Sequence, residues 1–367
     1  MHTPPIINQV AALLPTGRQR ILVAPLDWGL GHATRCIPII QAMLHEGHEV
    51  VLAGNGAVAR LLSEVFPQLE IVPLPGYNIT YTRRRVAMAL VRQIPRLMAA
   101  IQQEHQWLLQ AVHQHGITCM VSDNRYGLWH PKLPSILITH QLALEMPPGF
   151  VGLAPLINNR LRHWINRFSQ VWVPDWPLPG PTLSGNLGHP VQMPAIPVHY
   201  IGPQSRFSLL PARPQANPTT AFLACAVLSG PEPQRTLLEN RLLAQMAALS
   251  GPFALVRGLP GHTQPLQVPT HIQVYPHLPM EHLVHLICNS KYLVARSGYS
   301  TLMDAACLGL RGIWIPTPGQ TEQQYLARQL HHQGWGPMTS QQAFHLEDCL
   351  KIAENYNYQP WPTGGRP

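Results

Sequence analysis

Arg296-Ser297-Gly298, with Asp304 six residues beyond the glycine, is a spacing suited to a phosphorylated sugar. The apolar run Tyr292 to Ala295 before it reads as a buried parallel strand. A helix is predicted after the turn, with Leu302, Ala305, Ala306 and Leu310 on one side and a stop at Gly309 or Gly312. Ser297 is placed to cap that helix, and Gly298 lets the backbone approach a ligand. Free N–H groups and the positive end of the helix dipole then meet at one point, which suits a phosphate. Asp304, almost two turns in, can reach a hydroxyl of a sugar whose phosphate sits at the turn. Ordinary capping in a βαβ unit would use the same turn residues, so the turn chemistry alone leaves both readings open. The next strand, Ile313 to Pro316, opens a loop from Thr317 to Gln324 rich in amide and hydroxyl groups, Gln320, Gln323 and Gln324 among them.

A second constellation lies near the N-terminus. The strand Arg20 to Pro25 runs into Gly29-Leu30-Gly31-His32 and a helix from Ala33 to Glu46. His32 is the first candidate for a general base, because an imidazole near its ordinary pKa suits proton abstraction at neutral pH. Asp123 or Asp27 could orient it; the competing role for His32 is to cap the first helix. Asp123-Asn124-Arg125 ends the strand that begins at Ile117, and His140 ends the strand from Ser135 to Thr139. His140 could equally bond only to backbone. Ser229-Gly230 and Arg257-Gly258 also follow strands.

These turns need a scaffold that delivers strand ends to one side. The predicted fold is α/β: two doubly wound, Rossmann-like halves facing each other across a cleft. Expected boundaries are a loose N-terminal extension over 1–18, a first domain over 19–205, a second over 206–355 and a tail over 356–367. The tail is expected to be loose or to lie over the first domain. Residues 211–218 (PARPQANP) read as a linker. A long helical run from Arg83 to His115 is expected to be interrupted near Pro95. Gly54-Asn55-Gly56 with Ala59 spells a partial dinucleotide fingerprint, but no acid stands at a strand end about twenty residues on, so a plain turn is the better reading.

Composition narrows the partners. Of 367 residues 46% are hydrophobic and 11% charged, so two cores of ordinary size can form. The net charge of +8 favours anions: nucleotide phosphates or an acidic membrane surface. No zinc-finger spacing, RNA-binding signature or long basic arm points to nucleic acid. Six scattered Cys without a C-x-x-C read as reduced thiols of a cytoplasmic protein. The N-terminus lacks a basic region followed by an apolar run, so no secretory leader is expected, and no run is long enough to span a bilayer. There is no P-loop motif, no G-x-S-x-G and no D-x-D. His45-Glu46-Gly47-His48-Glu49 is not H-E-x-x-H and reads as a solvated helix end.

With those classes set aside, the chain resembles the GT-B glycosyltransferases, and within them family 28, which includes the lipid II-forming enzyme of peptidoglycan synthesis. The likeness is carried by Gly29-Leu30-Gly31-His32, by Ser229-Gly230, by the run from Ala295 through Asp304 and by the run from Pro316 to Tyr325. It implies a donor nucleotide sugar on the second domain and an acceptor on the first. It further implies that Asp304 holds ribose hydroxyls and that Ser297 and Gly298 form the phosphate turn, with Arg296, Ser300 and Thr301 also among the donor-binding residues. Gln323 and Gln324 would meet the donor sugar, Gln320 is donor-binding beside them, and Ser229, Gly230 and Arg257 would line the diphosphate. Gly29, Gly31, Asn124 and His140 fall on the acceptor side, with His32 and Asp123 catalytic. The implied reaction is an inverting displacement that needs neither metal nor cofactor. A UDP-linked hexose or N-acetylhexosamine would pass to an envelope glycan or lipid-linked acceptor. Two departures touch sugar and acceptor: one glycine fewer in the first loop, and Ser-Gly-Pro-Glu-Pro-Gln in place of a richer glycine loop at 229.

Two other activities share these residues. Gly29-x-Gly31-His32-x-x-Arg35-Cys36 also resembles the nucleotide-sugar hydrolase of pseudaminic-acid synthesis, in which water is the acceptor. A sugar-nucleotide-binding protein with a degenerate site is the non-enzymatic alternative. Arg83 to Arg96 and the helix predicted over 153–168 mix Arg with apolar residues. They could dock on anionic lipid at the inner face of the membrane or simply pack on their own sheet.

Overall fold

The computed structural model describes residue 10 and residues 12–76, 86–210, 221–261 and 264–362, with backbone alone for 86–94. The chain divides into two compact units, 1–209 and 210–367. The division falls four residues beyond the expected 205/206 boundary. The expected linker, 211–218, lies outside the described residues.

The first unit is built on β1 (Arg20–Pro25), β2 (Glu49–Ala53), β3 (Glu70–Val72), β4 (Cys119–Asp123), β5 (Ser135–Ile138), β6 (Gln170–Val173) and β7 (Val198–Tyr200). They form one parallel sheet in the order β3-β2-β1-β4-β5-β6-β7. Its helices are α1 (Leu30–His45), α2 (Gly56–Val65), α3 (Val86–His115) and α4 (Ala154–Ile165). The central strands β1, β4 and β5 are buried almost throughout, as expected for a sheet covered on both faces. One core gathers Ile21, Val23, Ile39, Ile40, Met43 and Val121 beneath α1; another gathers Leu22, Leu108 and Met120 beneath α3.

The second unit carries β8 (Phe222–Val227), β9 (Phe253–Val256), β10 (Ile272–Tyr275), β11 (Ser290–Ala295) and β12 (Gly312–Trp314). The order is β10-β9-β8-β11-β12, again all parallel. Its helices are α5 (Gln234–Ala248), α6 (Met280–Cys288), α7 (Tyr299–Leu308), α8 (Thr321–His332) and α9 (Leu346–Glu354).

In each unit the chain winds outward from one strand and then returns to its other side. The reversals fall between β1 and β4 and between β8 and β11. Loops leaving the C-terminal ends of such a pair diverge and leave a crevice, the usual ligand site of an open α/β sheet.

Three expectations are corrected. α3 runs unbroken through Pro95. A proline removes one helical hydrogen bond and usually bends the helix, yet this one lies within thirty continuous helical residues. The described part of the N-terminal extension is not loose: Val10 and Leu14 are buried in the first core, and Gln170 Nε2 donates to the Leu13 carbonyl at 3.0 Å. The tail packs on the second unit. Trp361 stacks on Trp335 at 4.7 Å and donates to the Leu310 carbonyl at 2.9 Å. The Tyr358 hydroxyl donates to the Gly312 carbonyl at 3.0 Å.

Candidate active site

In the first unit the site grows from the β1–β4 pair. Pro25 and Asp123 are register partners, so the β1 loop starts beside the Asp123 carboxylate. Gly29, at φ 137°, makes the turn into α1 in a conformation open to glycine. Residues 32, 35 and 36 then share one helix face and turn toward Asp123. His32 Nδ1 lies 3.1 Å from Asp123 Oδ2. Arg35 donates from Nε to Oδ2 at 2.8 Å and from Nη2 to Oδ1. Nη2 also lies 2.8 Å from His32 Nδ1. The Cys36 thiol donates to Oδ2 at 3.7 Å.

The electrostatics follow from this packing. Burial pushes the Asp123 carboxyl up, but the Arg35 guanidinium and then His32 outweigh it and hold it at about 2. The His32 imidazole is pushed below its ordinary value by burial and then by Arg35, with Asp123 opposing and His140 adding a last small push. His32 is also the third residue of α1, where the helix dipole disfavours a cation. It is therefore neutral at pH 7. When Nδ1–H donates to Asp123, Nε2 keeps its lone pair, and the side chain is 20% exposed for a substrate to reach. Asp27, the other acid considered as a partner, stands 3.5 Å from Arg125 instead.

Arg125 is a buried brace that the sequence did not single out. It donates to the carbonyls of Pro25 at 2.9 Å and Pro75 at 3.1 Å and to Glu104 at 2.8 Å. The loops after β1 and β3 are thereby tied to α3 and the end of β4. Asn124 sits at φ 54°, rare outside glycine, with its N–H on the Ile138 carbonyl and its Oδ1 buried without a hydrogen bond. His140 is buried after β5 and close enough to act on the His32 charge. His32, Asp123, Asn124, His140, Gly29 and Gly31 thus gather at this crevice. Arg35 was visible only as part of the H-x-x-R-C spacing.

In the second unit the crevice is lined by the loops after β8, β11 and β12. Ser229 and Gly230 are exposed at the end of β8, and Gly230 has φ +98°. Ser297 does not cap α7, as its position suggested. Gly298 is the N-cap, with no side-chain cap bond, and the Ser297 hydroxyl donates across to the Gln323 carbonyl at 2.7 Å. The helix α7 thus begins at the strand end with no side-chain cap bond from its N-cap residue. Gln323 Oε1 accepts from the Thr317 N–H at 2.8 Å, and Gln323 Nε2 would lie 3.8 Å from a methyl at Gly298. Ser297, Gln323 and Thr317 therefore lock the β11 and β12 loops together. Asp304 follows on the second turn of α7, partly buried. Gln320 and Gln324 flank Gln323 at the start of α8, with the Gln324 N–H on the Gln320 carbonyl at 3.1 Å.

Both arginines expected on the donor side are buried. Arg296 turns inward: it donates to the carbonyls of Ile315, Pro316 and Gln234 and to Gln341 Oε1 at 2.6 Å. Burial lowers it to about 10. It braces β11, α5 and the segment before α9, with its Nε buried without a hydrogen-bond partner. Arg257 is buried too, its Nε and Nη2 on Glu239 at 3.1 and 2.8 Å, but its Nη1 has no hydrogen-bond partner. Glu239 also takes Arg235, which pairs with Glu232 as well, so two guanidiniums and two carboxylates form one cluster at the β9 end. Thr317 was missed: it is 2% exposed and its Oγ1 is buried without a partner. A buried polar group left unbonded costs about 1–3 kcal/mol, so each such atom asks for a ligand or another explanation. Among the described residues no cluster of three or more His, Cys, Asp or Glu could hold a metal ion.

Residues 264–355 match the model of the glycosyltransferase family 28 C-terminal domain, inside the second unit. A curated relative, an uncharacterized glycosyltransferase of Methanosarcina acetivorans, is 22% identical over 339 residues, 88% of this chain and 86% of its own. Among solved structures, the glycosyltransferase SnogD of Streptomyces nogalater is 18% identical, covers 92% of this chain and 91% of its own, and has a TM-score of 0.62. Arabidopsis thaliana UGT89C1, solved with UDP-L-rhamnose, is 12% identical at 94% and 91% coverage, with a TM-score of 0.63. Fold and matched domain together define the class: a glycosyltransferase of the GT-B fold. More particularly, its second unit resembles family 28.

Proposed function

We propose that this enzyme transfers a hexose or N-acetylhexosamine from a UDP-linked donor to an envelope glycan or lipid-linked acceptor, in one inverting step without metal or cofactor. The observation that carries the reading is the His32–Asp123–Arg35 cluster, a neutral imidazole held by a buried carboxylate at a strand-end crevice. The second unit holds the donor. Its diphosphate meets the uncapped start of α7 and Arg257 Nη1, its ribose meets Asp304, and its sugar meets Gln320 and Gln324. The first unit supplies the base. His32 Nε2 takes the acceptor hydroxyl proton as the oxygen bonds to the anomeric carbon. The bond from that carbon to the phosphate oxygen breaks, and its electron pair leaves with the nucleoside diphosphate, whose growing charge α7 and Arg257 stabilise. Displacement from the opposite side inverts the anomeric centre. The lack of a D-x-D motif and the unpaired Arg257 Nη1 support a metal-free departure, and the UDP-linked donor follows the family 28 likeness of the second unit.

Hydrolysis is the second reading. It is supported by Arg35 and Cys36, the residues of that resemblance, both of which bond to Asp123. One experiment separates the two: purified enzyme with EDTA and a panel of UDP-, dTDP- and GDP-sugars, with nucleotide release followed with and without glycan and lipid-linked acceptors. Acceptor-dependent release supports transfer; fast release without acceptor supports hydrolysis; thermal stabilisation by no nucleotide would sink both.

The acceptor reading extends to a membrane surface. Val151, Leu153 and Leu156 are 64%, 47% and 71% exposed at the start of α4, and Arg160, Arg162 and Arg167 follow. Apolar wedges beside cations suit an anionic bilayer. The other segment considered, Arg83 to Arg96, lies mostly outside the residues whose side chains are described. No helix among the described residues is long and apolar enough to cross a membrane. All six cysteines are unpaired, in keeping with a cytoplasmic setting.

A further inference from the structure

We propose that the Thr317 hydroxyl is a ligand of the donor diphosphate, donating its hydrogen to the distal phosphate, the group that leaves with the nucleotide. This rests on the donor reading above and adds a residue to it.

Thr317 lies between Pro316 and Pro318, neither of which has a backbone N–H. The Thr317 N–H is already taken by Gln323 Oε1 at 2.8 Å. Over these three residues the side-chain hydroxyl is therefore the single donor left to offer. It is buried, with Oγ1 bonded to none of the described residues. Its direction is fixed by a neighbour: a methyl built on Gly230 would lie 3.6 Å from Oγ1, in ordinary contact. The hydroxyl thus faces the space that Gly230, at φ +98°, leaves by having no side chain. Gln323, holding Thr317 from the other side, sits against Gly298, the uncapped N-terminus of α7. Two glycines, an unspent hydroxyl and a helix N-terminus therefore border one space.

The chemistry of that border selects the ligand. The helix N-terminus presents N–H groups and positive potential, and none of Gly230, Gly298, Thr317 and Gln323 is acidic. A hydroxyl there gives its hydrogen to an anion. The bond shortens as negative charge gathers on the leaving phosphate, so it contributes more to turnover than to ground-state binding.

The test is Thr317→Val, which keeps the shape and removes the donor, beside Thr317→Ser, which keeps the donor. Binding of UDP and UMP, and of the dTDP/dTMP and GDP/GMP pairs, is measured by calorimetry, with apo thermal stability and kcat alongside. Valine should leave apo stability unchanged or raised, because no internal bond is lost. It should weaken the preferred diphosphate about 10-fold while sparing the monophosphate, and lower kcat about 10- to 100-fold, with serine close to wild type. Valine with diphosphate affinity and kcat within about twofold of wild type overturns the proposal, as does a drop in apo stability, which would make the hydroxyl an internal brace. If wild type binds none of the diphosphates, the donor reading fails and this inference with it; if wild type binds one and valine binds it equally, the Thr317 role alone fails.

Discussion

Asp123→Asn is the sharpest probe of the first crevice. The substitution keeps the shape and removes the charge that two bonds from Arg35 and one contact from His32 converge on. The folded carboxyl stands at about 2 against an ordinary 3.8. At 1.36 kcal/mol per pKa unit, its ionised form contributes about 2 kcal/mol to stability. The folded value is the lower one, so this contribution is complete above about pH 4 and is lost as pH falls toward 2. Removing one partner of a buried pair typically costs about 3–5 kcal/mol, because the other charge is stranded. We expect the asparagine variant to lose about 2–4 kcal/mol in denaturant unfolding at pH 7. Turnover should fall about 10²- to 10⁴-fold, the span for a misoriented general base. The double variant Arg35→Gln/Asp123→Asn separates the two roles. It removes both buried charges and should regain much of the stability, but none of the activity. Asparagine turnover within about threefold of wild type would refute the dyad. A double variant no more stable than the single one would refute the charge-pair account of the cluster.

Arg35→Gln should move the acid limb of the kcat–pH profile upward. The base must be neutral, and Arg35 is, after burial, what holds the His32 pKa down; an unmoved limb would count against His32 as base. Leu156→Glu should abolish co-sedimentation with vesicles rich in anionic lipid without altering nucleotide binding, and equal pelleting of wild type and variant would remove α4 from the membrane face.

The alternation of short apolar runs and helical periodicity made the doubly wound halves legible, because parallel strands buried on both faces have little freedom of composition. The strand-end turns were legible for the same reason: glycine, serine and acid cluster where chain direction changes. What escaped was long-range pairing. Whether Asp123 or Asp27 took His32 depended on the register of β1 with β4, which local pattern does not encode. Arg296 looked like a phosphate ligand by position, yet both its Nη atoms are spent on three carbonyls and Gln341, none of them near in sequence. Thr317 drew no notice because its value lies in bonds it does not make. Pro95 was read as a break because the local rule is right on average and packing overrides it here.

The C-terminal strap has a consequence for assembly. β12 is a three-residue strand at the sheet margin, and its outer side is completed from downstream. The Trp314 N–H bonds to Pro337, Thr339 bonds back to Trp314, and the Tyr358 hydroxyl reaches Gly312 across 46 residues. A nascent chain that has released β12 but not yet residue 358 carries a bare sheet margin, open to pairing with another chain. The last aromatic residues described thus act as a closing latch: the β12 margin is fully covered only after Pro337 to Thr339 and then Tyr358 have been made.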